Sequence, residues 1–168
     1  MSLQDFADGA TLVQTAWLVG SAVVGGGIAL GGHAAFARKR EKRLFKNISR
    51  PVAVVSTEAR PMDHEADLLD KVGLFKIKRF TADPRAASMI DGHRLVILGF
   101  SPNSAVFRAV FAAAQAKNIP VIVYAGPGDI SREEFATIQT YTNHTVCNTP
   151  LRLISDTFAI ISTYPEGQ

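Results

Sequence analysis

The stretch "RLVILGFSPNSAVFRAVFAAAQAKNIPVIVY", from Arg94 to Tyr124, contains the pattern that determines the predicted fold. Its first part, Arg94 to Phe100, is an apolar run that predicts a strand buried on both faces of a sheet. An alanine-rich segment then predicts a helix, and Pro120 to Ala125 predicts the next strand. This succession favours two parallel strands that are joined by a right-handed helical crossover.

The same alternation continues on both sides of this stretch. Further strands are predicted at Val52 to Val55, Leu74 to Phe80 and His144 to Cys147. Helix boundaries are indicated by Gly73 as a stop, Asp83-Pro84 as a start with Pro at the first helical position, the capping-box pair Ser131 and Glu134, and a final helix from Leu151 to Ile161. Five strand–helix units predict an α/β, three-layer domain with a five-stranded parallel sheet. The expected strand order is the flavodoxin-like, or Rossmann-like, 2-1-3-4-5.

Hydroxyl and amide side chains follow the predicted strands, where ligands of such sheets gather. The predicted ligand-binding residues are Ser56, Thr57, Ser101, Asn103, Ser104, Gly126 and Gly128, with Glu58, Asp129, Asn148 and Thr149 on the same loops. Such groups can bind a nucleotide or a phosphate at a helix N-terminus. They also serve as ordinary helix caps and turn residues, and the sequence leaves that alternative open.

The N-terminal segment has a different composition. No charged residue lies between Asp8 and Arg38, and the apolar stretch Leu12 to Ala37 is long enough to predict one transmembrane helix. The basic residues of segment 38–50 predict that the N-terminus lies outside the inner (plasma) membrane and that domain 51–168 is cytoplasmic. The alternatives are a cleaved signal peptide, which would need positive charge before the apolar stretch, and a buried helix of a soluble domain.

Glycine is frequent in the predicted membrane helix, where close packing of small residues favours association. Gly27 and Gly31 form a Gly-xxx-Gly pair, and Gly20 pairs in the same way with Ala16. The expected partners are lipid and either further copies of this chain or other membrane subunits. The alternative is that glycine is merely tolerated in membrane helices.

Composition excludes several classes of function. Most of the basic excess lies in segment 38–50, so a nucleic-acid-binding surface is not indicated. Cys147 is the single cysteine, and no Cys/His spacing is typical of a zinc site. No Walker loop, dinucleotide fingerprint or nucleophile elbow is present, so we predict no cofactor, no metal site and no enzymatic activity.

Phospho-receiver domains share the predicted architecture. That family carries a phosphoacceptor aspartate at the end of the third strand and a lysine at the end of the fifth. Here these strands end in Gly99-Phe100-Ser101 and Cys147-Asn148. The resemblance therefore implies the fold without the phosphoryl-transfer chemistry.

The stretch Met89 to Tyr124 also resembles the Toll/interleukin-receptor (TIR) family, with Ser101-Pro102-Asn103 as the most specific part. NAD-cleaving members carry a glutamate in the following helix, which here reads "AVFRAVFAAAQ" and holds no acid. The resemblance implies an assembly or ligand-sensing domain without NADase chemistry. We expect a single-pass membrane protein whose domain senses a small ligand, such as a nucleotide, or assembles, in the manner of antiviral-type membrane effectors. The alternative is an accessory subunit of a larger membrane complex.

The glycine pair gives the first testable prediction. We expect Gly27→Leu and Gly31→Leu to insert normally, because leucine is favoured in membrane helices, but to weaken association of the chain with itself or with partner subunits. Native mass spectrometry or cross-linking of the detergent-solubilised proteins measures this. Wild-type assembly in both variants would contradict the packing role.

Overall fold

The computed structural model of the protein describes Arg38, Glu41, Lys42 and residues 50–163. The predicted membrane segment Leu12 to Ala37, with Gly20, Gly27 and Gly31, lies outside the described residues. Within the part that is described, no helix is long and apolar enough to cross a membrane.

Residues 50–163 form one parallel sheet with helices on both faces. The strands are β1 Pro51–Val55, β2 Lys76–Phe80, β3 Leu95–Gly99, β4 Val121–Tyr124 and β5 His144–Cys147. The helices are α1 Asp63–Lys71, α2 Ala86–Met89, α3 Ala105–Ala116, α4 Arg132–Gln139 and α5 Pro150–Thr163. The sheet order is β2-β1-β3-β4-β5 and each pair is parallel, which confirms the predicted flavodoxin-like topology.

The central strands are buried on both faces because successive side chains point to opposite sides of the sheet. On one side Val96 and Leu98 of β3 pack beneath α3, which buries Val110. On the other side Leu95 and Ile97 belong to a second apolar cluster. Its helical members are Ala66 and Leu69 of α1 and Leu153 and Ile161 of α5. Two separate cores therefore hold the three layers together.

Two predicted starts differ from the observed ones by two residues. The helix expected to start at Pro84 is the short α2, which begins at Ala86. The Asp83 carboxylate accepts a hydrogen bond from the Arg85 backbone N–H at 2.8 Å and forms a local turn that delays the helix. Strand β2 begins at Lys76 and not at Leu74, whose side chain is 49 % exposed after the left-handed Gly73 (φ 70°).

The capping box predicted at α4 is confirmed. The Ser131 hydroxyl accepts a hydrogen bond from the Glu134 backbone N–H, and the Glu134 carboxylate accepts one from the Ser131 backbone N–H. This helix is otherwise thinly anchored, because Ile138 is its one buried residue.

The loop after β1 folds tightly over the end of β3. Thr57 and Arg60 are joined by two backbone hydrogen bonds, of 3.1 and 3.2 Å, and the Thr57 hydroxyl donates to the Gly99 carbonyl at 3.1 Å. A Cβ atom placed on Gly99 would lie 2.8 Å from the Arg60 carbonyl oxygen. Only glycine fits at position 99 without moving this loop.

This close approach predicts that Gly99→Ala destabilises the domain. We expect the free energy of unfolding to fall by about 1–3 kcal/mol, because the added methyl group overpacks against fixed backbone. Denaturant unfolding of the full chain measures the change.

The control is Ser155→Ala on the exposed side of α5, which should stay within about 0.5 kcal/mol of wild type. Equal stability of Gly99→Ala and the control would contradict the close approach.

Candidate functional site

The predicted ligand-binding residues fall into three separate places at the carboxyl edge of the sheet. Ser101, Asn103 and Ser104 line a groove between α3 and α4. Ser56 and Thr57 line a shallower cleft of about 300 Å³ beside the end of β2. Gly126 and Gly128 lie in the loop before α4. Ser101, Asn103 and Ser104 share one groove, which the other two pairs do not line.

The groove between α3 and α4, called the α3–α4 groove below, has a volume of about 350 Å³. Its lining is mainly apolar and includes Phe100, Phe107, Phe111, Ala112 and Ile138. Polar side chains also line it, namely Ser101, Asn103, Ser104, Arg108, Gln115, Glu134, Thr137 and Thr140. A concave surface whose exposed area is mainly apolar and whose border carries polar side chains is typical of small-molecule sites.

Aromatic rings form a continuous row along this groove. Phe107 contacts Phe100 edge-on at a centroid distance of 5.2 Å and stacks with Phe111 at 5.8 Å and an interplanar angle of 13°. Phe111 in turn contacts Tyr141 edge-on at 5.9 Å, and the Tyr141 hydroxyl donates to the Ile119 carbonyl. Because each ring is fixed by its neighbour, the apolar wall of the groove is preformed.

The start of α3 is occupied by a carboxylate of the protein itself. The Ser104 hydroxyl accepts from the Phe107 backbone N–H at 3.1 Å and donates to a Glu58 carboxylate oxygen at 2.5 Å. These hydrogen bonds lower the pKa of Glu58 below its ordinary value of 4.5, with the Ser104 hydroxyl as the largest cause. A negative charge is favoured at a helix N-terminus, so the position of the Glu58 carboxylate beside the start of α3 is electrostatically favourable.

Arg60, from the loop after β1, also lies at the carboxyl edge of the sheet. Its guanidinium lies 5.0 Å from the centre of the Tyr124 ring and 3.9 Å from Asp129. Burial raises the pKa of Tyr124, and the nearby Glu65 carboxylate, itself 8 % exposed, raises it further. Arg60 and Asp129 therefore place a pair of opposite charges at this edge.

Among the described side chains, the cysteine is not activated as a nucleophile and no cluster suited to a metal ion is present. Burial raises the pKa of Cys147 to about 12, with Asp156 as the second cause, so the thiol stays protonated. No group of three or more His, Cys, Asp or Glu side chains that could hold a metal ion occurs among residues 50–163.

Sequence reasoning did not identify the aromatic row, Arg60 or the role of Glu58. Phe107 and Phe111 stand at helical spacing, which is equally typical of an ordinary core face. The repeated "AVFRAVF" is the one signal that could have indicated a partly open aromatic face.

Comparison with known proteins supports the fold. No protein-family model and no curated protein matches the chain. The structure is similar to a Burkholderia pseudomallei protein provisionally described as pilus assembly-related, at 11 % identity and a TM-score of 0.56, covering 73 % of this chain and 96 % of that one. It is also similar to the receiver domain of Mycobacterium tuberculosis NarL, provisionally described as a response regulator. The identity is 10 % and the TM-score 0.55, over 68 % of this chain and 98 % of that one.

A LuxR-family DNA-binding response regulator from Staphylococcus aureus matches at 14 % identity and a TM-score of 0.55, over 67 % of this chain and 98 % of that one. These likenesses establish the flavodoxin-like fold that receiver domains share. The site residues of this chain stay a prediction.

The Glu58–Ser104 hydrogen bond predicts a pH-dependent contribution to stability. Because the pKa of Glu58 is lowered in the folded protein, the contribution is complete above pH 4.5 and is lost as the pH falls through the folded-state pKa. Glu58→Gln should therefore be less stable than wild type at neutral pH, and the two stabilities should converge in acid.

Chemical unfolding of both proteins as a function of pH measures this difference. The pKa of Glu134 is also lowered, but Glu134 is present in both proteins, so its contribution cancels in the difference between their stabilities. A difference that does not change with pH would contradict the role of the Glu58 charge.

Proposed function

We propose that this chain is a non-enzymatic, membrane-anchored signalling protein whose α/β domain binds a small ligand in the α3–α4 groove. Segment Leu12 to Ala37 is the proposed anchor, with the domain on the cytoplasmic side. Ligand binding would change how the glycine-rich helices of several copies pack.

The observation that carries the proposal is the way the carboxyl edge of the sheet is filled. At the end of β3, the Arg60 carbonyl would lie 2.8 Å from any side chain placed on Gly99. Glu58 occupies the start of α3, and Arg60 covers Tyr124. The end of β3, where a receiver domain carries its acceptor aspartate, is therefore covered by the loop after β1, whereas the α3–α4 groove beside it is open.

The chemistry of the groove suits a planar ring that carries polar substituents, such as a nucleotide base. The aromatic row offers a surface on which a ring can pack. Ser101, Asn103 and Arg108 stand at its border and offer a hydroxyl, an amide and a guanidinium. Nucleotides are therefore the first ligand class to test.

A second candidate, an accessory subunit of a membrane complex, is favoured by one feature of α5. Leu151 and Phe158 are 79 % and 42 % exposed and stand seven residues apart, which places them on one face of the helix. Such a face is suited to packing against another protein. Co-purification of other subunits with the full chain would favour this candidate.

The proposed site predicts the effect of filling the groove. Ala112 lines the groove on α3, and its replacement by tryptophan should place a large side chain where the ligand would lie. Ala116→Trp is the matched control, because Ala116 is exposed on the same helix and does not line the groove.

The experiment titrates the detergent-solubilised full chain with AMP, ATP and cyclic dinucleotides and records calorimetric heats and thermal shifts. We expect at least one of these nucleotides to bind, Ala112→Trp to weaken its binding at least tenfold, and Ala116→Trp to bind as wild type. The variant Asn103→Gly tests the amide, since glycine also accepts the left-handed backbone at position 103 (φ 60°). Absence of binding by every nucleotide, or unchanged binding by Ala112→Trp, would overturn the proposed site.

A further inference from the structure

Arg108 is the cation among the described side chains that line the α3–α4 groove. It is exposed on α3, on the same face of the helix as Ser104 and Ala112, which also line the groove. Among the residues that the structure describes, no acidic side chain forms an ion pair with the Arg108 guanidinium. The groove therefore offers a positive charge that a ligand can use.

The negative charges near the groove stand where its two helices begin. Glu58 accepts a hydrogen bond from the Ser104 hydroxyl at the start of α3, and Glu134 accepts one from the Ser131 backbone N–H at the start of α4. The neighbouring serine hydroxyl is the largest cause that lowers the pKa of each carboxyl group below its ordinary value of 4.5. Both carboxylates are therefore ionised at neutral pH.

The groove is consequently polar along its length. Because α3 and α4 follow parallel strands, both helices begin at the carboxyl edge, and Glu58 and Glu134 lie at that end. Arg108 stands four residues after Ser104, which places it about 6 Å further along the axis of α3. A ligand anion is repelled by the carboxylates at the helix starts and attracted to Arg108.

We propose that Arg108 binds the phosphate of a ligand whose ring packs on the aromatic row, so that the groove selects a nucleotide over the corresponding nucleoside. This inference rests on the function proposed above and specifies which part of the ligand Arg108 recognises. A guanidinium binds phosphate through two parallel hydrogen bonds. Arg108 lies between Phe107 and Phe111 in the sequence, so its long side chain can reach a phosphate that is joined to a ring packed on either residue.

The experiment compares nucleosides with their monophosphates on the detergent-solubilised full chain. Adenosine, AMP, guanosine and GMP are titrated by calorimetry at constant ionic strength. In wild type we expect a monophosphate to bind at least about fivefold more tightly than its nucleoside, because only the monophosphate has a charged partner for Arg108. Arg108→Gln should reduce this ratio of affinities to about one, and Arg108→Lys should retain part of it, since lysine keeps the charge without the planar fork.

Two further variants separate the local charge from the net charge. Arg132→Gln is the matched control, because Arg132 is exposed on α4, does not line the groove, and its replacement changes the net charge equally. Its ratio should equal that of wild type. Glu134→Gln removes a negative charge from the groove while glutamine can still form the capping box, so its ratio should rise about twofold.

Equal affinity of nucleoside and monophosphate in wild type, or an unchanged ratio in Arg108→Gln, would overturn this inference and leave the proposed ligand site intact. The inference also fails if Arg132→Gln lowers the ratio as much as Arg108→Gln in variants that unfold at the wild-type temperature. Absence of binding by all four compounds overturns it as well. The proposed ligand site itself then fails only if ATP and the cyclic dinucleotides do not bind either.

Discussion

The burial of β3 on both faces is the constraint on which the rest of the domain depends. Each of its four apolar side chains, Leu95 to Leu98, is fully shielded from solvent. A strand with no polar face needs a neighbour on each side for its backbone groups and a helical layer above and below for its side chains. The positions of β1, β4, α1, α3 and α5 follow from that requirement.

The same strand determines where ligands can reach the carboxyl edge. Since β3 ends in Gly99, which has no side chain, the backbone of the loop after β1 can pack directly against the strand. This close packing brings Glu58 to the start of α3 and Arg60 over Tyr124. The chain thus places its own carboxylate and guanidinium at the carboxyl edge, where ligands of such sheets bind. Space remains beside that edge, in the groove under the thinly anchored α4.

The topology could be predicted from the sequence because it depends on short-range patterns. Apolar runs of strand length, Gly73 after α1 and the Ser131–Glu134 pair each indicate a boundary, and alternation of strand and helix leaves few arrangements. The groove could not be predicted, because it depends on the distance between α3 and α4 and on which edge of Phe107 is left uncovered. The hydrogen bond from Ser104 to Glu58 could not be predicted either, because the two residues are distant in the chain. Serine and glutamate are also common in ordinary turns, so neither residue indicates a partner.

The strand order has a consequence for the synthesis of the chain. Strand β1 is made first but lies between β2 and β3, so one of its edges stays open until the ribosome has added β3. During that interval the nascent domain exposes an apolar, unpaired strand, which is a template for wrong pairing with other chains. Strand β2, which covers the other edge of β1 in the meantime, carries Lys76 and Lys78 at exposed positions. Like charges on β2 repel a second copy of the chain. The edge that β2 forms is therefore protected against wrong pairing while the other edge of β1 is still open.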